Sequence, residues 1–251
     1  MSVFNEYARY YDLLYRDKDY AGETDYVDGM IQSHALGART ILNLGCGSGR
    51  HDRELIKKGY QVTGVDSSTV MLDAAKSAAN DIADLDYVQG DIRSIRLEKT
   101  FDAVVSLFHV MSYQTSNDDL LAAFETARTH LKPGGIFIFD CWYGPGVLSD
   151  KPTVRIKEME DEYLQVTRIA QPTLETNSST VEVGYRIFVN NKNTGTATEL
   201  KESHLMRYLF QPEIYLFSKL SKLSLIDSFD WLSQKAPDSS TWYAFFVCRA
   251  L

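Results

Sequence analysis

A doubly wound, mostly parallel α/β sheet is the fold that the sequence predicts, and three observations predict it. From Thr40 to Cys141, short β-rich runs alternate with stretches of helical period. Such alternation forces right-handed crossovers between parallel strands. The first run, Thr40-Ile41-Leu42-Asn43-Leu44, passes straight into Gly45-Cys46-Gly47-Ser48-Gly49 and a helix; glycines there let backbone approach a ligand with no Cβ in the way. The next two runs end on carboxylates, at Val65-Asp66 and Gln89-Gly90-Asp91. All three ends meet at the carboxyl edge of the sheet, where open α/β folds bind ligands.

The elements follow in order. Residues 3–36 carry apolar and aromatic side chains at helical spacing, Phe4, Tyr7, Tyr10, Tyr11 and Leu14 and then Tyr26, Val27, Met30 and Ile31, which predicts two helices before the first strand, with Gly37 closing the second. Strands are expected at Gln61–Val65, Leu85–Gln89, Phe101–Leu107 and Gly135–Cys141, and helices at Arg50–Lys58, Val70–Ala79 and Asp118–Leu131. Beyond Asp140 the pattern changes. Three runs near Lys157–Ala170, Thr180–Val189 and Thr196–Phe210 are rich in Val, Ile, Thr and Tyr and are split by turn-prone segments, which predicts an antiparallel meander. A helix over Pro212–Leu223 and strands over Leu225–Trp231 and Trp242–Arg249 complete a seven-stranded sheet. The expected organisation is a core of residues 1–150 and 211–251, its N-terminal helices acting as a lid, with an antiparallel β insertion over 151–210 between strands five and six.

Composition sets the limits. A chain of 251 residues with 44 % hydrophobic and 24 % charged residues buries about 70–75 % of its unfolded surface without help from metals or disulfides. Cys46, Cys141 and Cys248 stand far apart in apolar contexts and read as reduced, buried thiols. Twenty-six Lys and Arg against 34 Asp and Glu leave a net charge of −8, which argues against nucleic acid, whose binding rests on cationic neutralisation of phosphates. No run approaches 18 apolar residues and no leader-like segment opens the chain, so the expected address is cytoplasmic, away from membranes.

The glycine loop is GxGxG, with Arg50 where a dinucleotide fingerprint would carry a third glycine. A ligand without a pyrophosphate suits that spacing. Asp66, about 20 residues on, can accept both hydroxyls of a ribose, and Asp91 the exocyclic amine of an adenine. Either carboxylate alone could instead be a helix N-cap; together with the loop they form a constellation.

These residues resemble the class I S-adenosylmethionine-dependent methyltransferases. Ile41 to Gly49 is similar to that family's first motif, Val65-Asp66-Ser67-Ser68 with Met71-Leu72 to its second, Gly90-Asp91-Ile92 to its third, Phe101 to Val105 to its fourth strand, and Leu131-Lys132-Pro133-Gly134-Gly135 to the turn before its fifth. The resemblance covers roughly residues 38–141 and 211–250. It implies S-adenosyl-L-methionine as cofactor, S-adenosyl-L-homocysteine as product, and no metal. It places Tyr11, Asn43, Gly45, Cys46, Gly47, Asp66, Ser67, Met71, Gly90, Asp91, Ile92, Leu107 and Phe108 around the cofactor. Asn43 departs from the pattern: it stands where the family usually has an acidic residue, so it would orient the methionine end through hydrogen bonds without a charge for the ammonium.

The aromatic segment Tyr7 to Tyr20, Trp142-Tyr143 and the β insertion are similar to bacterial N-methyltransferases of nucleotide-linked amino sugars. That likeness implies a small-molecule acceptor in a cleft shared with the inserted sheet, which also makes a homodimer contact. Tyr11 would reach the cofactor or the acceptor amine, Tyr113 would lie on the acceptor side, and Tyr15, Trp142 and Tyr143 would wall the acceptor site. A neutral amine brings its own lone pair, whereas a hydroxyl needs a base. His109, just past strand four, is the candidate base or a ring against the adenine. Along the third insertion run, alternation puts Glu202 and His204 on one face and Ser203 and Arg207 on the other; an Arg207 face turned to the cleft would offer a guanidinium fork to a diphosphate. Arg50 and His51 either touch the cofactor carboxylate or form a solvated first turn. The alternatives to amine transfer are O-methylation of a sugar or other small hydroxylated metabolite, a cofactor-binding subunit without transfer, and a nicotinamide oxidoreductase.

Overall fold

A computed structural model describes residues 13–79 and 82–251. The expectations placed on Phe4, Tyr7, Tyr10 and Tyr11 lie outside the described residues. Two sheets organise the rest. The larger has seven strands: β1 (Thr40–Leu44), β2 (Gln61–Asp66), β3 (Leu85–Gln89), β4 (Phe101–Ser106), β5 (Leu131–Trp142), β10 (Leu223–Asp230) and β11 (Tyr243–Ala250), in the order β10-β11-β5-β4-β1-β2-β3. β5, β4, β1, β2 and β3 pair parallel, and β11 runs antiparallel to both of its neighbours. The second sheet is an antiparallel meander of β6 (Arg155–Glu160), β7 (Leu164–Glu175), β8 (Thr180–Asn191) and β9 (Thr196–Arg207).

The helices are α1 (Tyr20–His34), α2 (Arg50–Lys57), α3 (Thr69–Ala79), α4 (Asn117–Thr129), α5 (Gly144–Ser149) and α6 (Gln211–Leu220). Local chemistry fixes their ends. Asp19 accepts from Gly22 N at the start of α1, and Ser116 Oγ from Asp119 N at the start of α4, each satisfying an otherwise unpaired first-turn donor. The central strands are apolar on both faces, as a sheet covered by helices on both sides requires. One layer packs Leu42, Val104, Phe137, Phe139 and Phe246 against Phe124 of α4 and Phe217 of α6. The other packs Ile41, Val62, Val105 and Ile138 against Val27 and Ile31 of α1 and Leu55 of α2.

The structure differs from expectation in three places. The first of the three β-rich runs is two strands, because Asp161 accepts from both Tyr163 N and Leu164 N and turns the chain between β6 and β7. β5 begins at Leu131 rather than Gly135. The short α5 was not expected: Gly146 sits where a Cβ would lie 1.9 Å from the Thr241 carbonyl oxygen, so a glycine is what lets this turn dock on the segment before β11. Cys46, Cys141 and Cys248 are free and buried. No helix among the described residues is long and apolar enough to cross a membrane.

Candidate active site

β1 is the strand at which the order reverses, with β2 and β3 on one side and β4 and β5 on the other. Crossovers diverge there, and the loops after β1 and β4 open a crevice at the carboxyl edge. A cavity of about 580 Å³ occupies that crevice and extends under the four-stranded sheet, a size typical of small-molecule sites.

The half of the cavity on the large sheet is built mostly by backbone. Gly45 N and Cys46 N both donate to Val65 O, drawing the loop across β2. Gly47 has φ +55° and open space where its Cβ would be, whereas Gly49, at φ +68°, would drive a Cβ into Tyr87 Oη. Asp66 Oδ2 accepts from Gly47 N at 2.8 Å and Oδ1 from Ser68 N at 2.9 Å. Burial raises the Asp66 carboxyl above its ordinary value while those backbone bonds oppose the shift. Gly45, Cys46, Gly47, Asp66, Ser67, Met71, Asp91, Ile92, Leu107 and Phe108 all line the cavity. Asp91 does so with its carboxylate held by Arg93 in a fork, Nε to Oδ1 at 2.9 Å and Nη2 to Oδ2 at 2.5 Å, while Arg93 Nη1 reaches Asp119 at 2.7 Å.

At the opposite end of this half, Arg50, His51 and Tyr20 line the wall, the Arg50 guanidinium standing 5.2 Å from the Tyr20 ring. His51 Nε2 lies 2.8 Å from Glu23 Oε2. Burial works against the Glu23 carboxylate, yet hydrogen bonds from His51 and Lys18 hold it below its usual value.

Past β4 the chain takes two consecutive left-handed residues, Phe108 at φ 66° and His109 at φ 64°. Each costs about 1–2 kcal/mol in a residue with a Cβ. Asp140, fully buried at the end of β5, accepts from His109 N at 3.1 Å and lies 2.5 Å from His109 Nδ1 through the same Oδ2. The imidazole stacks on Tyr243 at 4.4 Å and 15°. The ring thus stands against a buried carboxylate on its Nδ1 side, and His109 lines the cavity.

The half under the inserted sheet is built by side chains. Arg155, Arg168, Tyr185 and His204 enter from β6, β7, β8 and β9, and Trp142, Trp242 and Tyr243 close it from the large sheet. Arg168 Nη1 donates to Tyr15 Oη at 3.2 Å and its guanidinium stands 5.1 Å from the Tyr185 ring. Tyr15 packs edge-on against Phe108 at 5.2 Å. Tyr113 Oη lies 2.8 Å from His204 Nδ1, and His204 Nε2 lies 3.4 Å from Glu202 Oε2. Burial, with Tyr185, Tyr15 and Glu202 close by, pushes the Tyr113 hydroxyl well above its ordinary pKa.

Four expected contacts are corrected. Asn43 is buried behind the loop and does not line the cavity, because its Nδ2 donates to Asp52 Oδ1 at 2.6 Å. Gly90 does not line it either; its missing Cβ makes room for Ile95. Tyr143 turns into the core beside Phe246, since adjacent extended residues point opposite ways and Trp142 takes the cavity side. Arg207 is buried against α6, with Nη2 on Glu213 Oε1 at 2.7 Å. The inserted-sheet guanidiniums in the cavity are Arg155 and Arg168 instead. Those two, with Tyr185, Tyr243 and Asp140, were missed by sequence reasoning. An aspartate closing the apolar run Phe137-Ile138-Phe139 was the one available signal.

The residues present suit S-adenosylmethionine: a glycine loop open toward the cavity at Gly47, the Asp66 carboxylate at the position for a ribose, and apolar Met71, Ile92 and Leu107 for a flat base. Residues 41–135 match the family described as methyltransferase domain. The chain is 29 % identical over 210 residues, 83 % of its length and 86 % of the relative's, to a dTDP-3-amino-3,4,6-trideoxy-alpha-D-glucopyranose N,N-dimethyltransferase of Streptomyces venezuelae. It is 29 % identical over 212 residues, 84 % of its length and 80 % of the relative's, to a dTDP-3-amino-3,6-dideoxy-alpha-D-glucopyranose N,N-dimethyltransferase of Streptomyces fradiae. The fold is shared with a crystal structure of an S-adenosylmethionine-dependent methyltransferase from Clostridium acetobutylicum, at a TM-score of 0.82, 24 % identity and 98 % coverage of both chains.

Proposed function

The chain belongs to the class I S-adenosylmethionine-dependent methyltransferases, and from that premise we propose that it methylates the amino group of a nucleotide-linked amino sugar. The observation that carries this reading is the contrast between the cavity and the chain. The protein has a net charge of −8, yet the described lining residues include four arginines against two carboxylates, Asp66 and Asp91. Arg93 is neutralised by Asp91 and Asp119, and Arg50 lies at the cofactor end. Arg155 and Arg168 line the acceptor side, where a guanidinium fork suits a diphosphate. The aromatic rings beside them suit a base and a sugar face.

When bound, S-adenosyl-L-methionine supplies an electrophilic methyl on a sulfonium, whose C–S bond breaks as the new bond to the acceptor forms, leaving S-adenosyl-L-homocysteine. The glycine loop and Asp66 would hold the ribose, Arg50 and Tyr20 would receive the carboxylate, and Met71 and Ile92 would offer apolar surface to the base. Orientation of this kind contributes up to about 7–11 kcal/mol. His109, held between Asp140 and Tyr243, lines the cavity where the acceptor would sit and would offer it a hydrogen-bonding ring nitrogen. In this division of labour the core of 1–150 and 211–251 holds the cofactor, and 151–210 supplies the acceptor wall. The reading keeps the reaction in the cytoplasm and assigns the open edge of β6, where Ile156 is 64 % exposed, to a homodimer contact.

The pairing of His109 with Asp140 favours one alternative, O-methylation of a small hydroxylated metabolite, since a carboxylate behind an imidazole equips it as a base. Mass spectrometry of nucleotide-linked amino sugars and their hydroxyl analogues, incubated with S-adenosylmethionine, decides between them. A methyl on amines alone, with His109→Ala slowing transfer by no more than about tenfold, supports the amine. A methyl on hydroxyls that His109→Ala abolishes, a loss of about 10²–10⁴-fold, overturns it.

A further inference from the structure

Amines on sugars are protonated near neutral pH, and an ammonium has no lone pair to give. The nitrogen must lose a proton inside the cavity before each transfer, and among the described lining residues the two carboxylates, Asp66 and Asp91, lie on the cofactor half. A different chain of groups leads out of the acceptor half. Tyr113, in the turn after β4, lines the cavity and reaches His204 Nδ1 at 2.8 Å. His204 is 5 % exposed, and behind it stands Glu202 Oε2 at 3.4 Å from Nε2, its side chain 6 % exposed. The second Glu202 oxygen, Oε1, is buried with no hydrogen-bond partner among the described residues. A carboxylate so withdrawn from water is costly unless paired with positive charge, and the group beside it that can become positive is His204.

We propose that Tyr113, His204 and Glu202 form a proton relay that carries the acceptor's ammonium proton away from the methyl-transfer centre into the inserted sheet. This inference rests on the amine reading above. The acceptor N–H breaks as a new O–H forms on Tyr113; the phenol's own proton moves to His204 Nδ1; the resulting imidazolium is held by Glu202. The freed lone pair then makes the N–C bond, and the proton returns to solvent when product leaves. Tyr113 never becomes an anion, in keeping with the raised pKa of its hydroxyl. Tyr113 is the catalytic residue, and His204 and Glu202 act through it. The other titratable or charged groups facing the relay are Tyr185, whose ring meets His204 edge-on at 5.0 Å, with Tyr15 and Arg168 beside Tyr185. Among the described residues none of these is a carboxylate or an imidazole, and His109, the other imidazole lining the acceptor half, stands against Asp140.

Two measurements test this. Nitrogen-15 correlation spectra of the free protein report the His204 tautomer without any substrate: the relay requires Nε2–H with Nδ1 bare, and a neutral Nδ1–H tautomer overturns it whatever the acceptor proves to be. The second is the pH profile of kcat/KM for an amino sugar nucleotide in wild type, Tyr113→Phe, His204→Gln and Glu202→Gln. The expected deficit of the first two variants is ~10²-fold at pH 6.5 and shrinks to under ~3-fold at pH 9.5, where water has already removed the proton; Glu202→Gln, which takes away the charge that holds the imidazolium, moves the acid limb to lower pH. A deficit equal at all pH values, with cofactor affinity and melting temperature unchanged, marks a structural role and overturns the relay alone. Wild type that methylates no amine overturns the amine reading, and the tautomer then decides whether the relay stands as a proton acceptor for another substrate.

Discussion

The two halves of the cavity are made in different ways. On the large sheet, the wall is a matter of backbone: Gly45, Gly47 and Gly49 at positive φ, a carboxylate bonded to two amides, and strands that all end on one edge. On the inserted sheet, the wall is a set of long side chains, Arg155, Arg168, Tyr185 and His204, on strands whose backbone is ordinary antiparallel ladder. A backbone wall recognises what every reaction of this class shares, the cofactor. A side-chain wall can be rewritten position by position, and in the function proposed above it carries the choice of acceptor.

That division can be broken at defined places. The largest effect is expected behind the backbone wall, at Asp52, which is fully buried and raised to about 7 by that burial despite its bond from Asn43. Its native pKa lies above the unfolded value near 4, so the folded chain binds the extra proton between these limits, and wild-type stability falls as pH rises from about 4 to 7. Asp52→Asn removes the titration. Denaturant unfolding should show the variant gaining on wild type across that window, by about 3–4 kcal/mol above pH 7, with the difference flat below pH 4. Next comes Asp66→Ala, which strips the acceptor from Gly47 N and Ser68 N as well as from the ribose. Calorimetry should find cofactor Kd raised about 100-fold, on the order of 3 kcal/mol for charge-assisted bonds, with acceptor KM little moved. The smallest is Arg168→Ala: steady-state kinetics should show acceptor KM up by about 10–30-fold, equivalent to about 1.5–2 kcal/mol, and cofactor Kd unchanged. If Arg168→Ala weakened the cofactor and the diphosphate-linked acceptor alike, the two walls would not be separate instruments.

The same contrast explains what the sequence could show. Glycines at fixed spacing and acidic strand ends leave a trace because the backbone needs them, so the seven-stranded sheet, the loop, Asp66 and Asp91 were legible. Asn43 was misplaced because its partner, Asp52, sits nine residues on in a helix, and nothing in strand spacing shows which way an amide turns. Arg207 was a fair reading of β9's alternation, but alternation separates two faces without saying which meets the cleft. His204 and Met206 are on the cavity side, so Arg207 is on the other. Trp142 and Tyr143 illustrate the same parity: neighbours in an extended segment cannot both face one cavity. Arg155 and Arg168 were lost for want of register, since only the pairing of Arg155 with Ala170 and of Arg168 with Ile187 sets them in neighbouring rows.

The placement of cations in an anionic chain has a kinetic consequence. At about 0.01 M salt, where the screening length is about 30 Å, a diphosphate acceptor of the kind proposed would first meet the repulsive net field of the whole protein, and Arg155 and Arg168 only inside the cleft. Added salt therefore speeds arrival by screening the outer repulsion and hastens departure by weakening the inner attraction. If the acceptor is the one proposed, turnover would gain from ionic strength for as long as encounter or product escape limits it, and a leaving nucleotide sugar, once past the guanidiniums, would be driven outward by the surface it crosses.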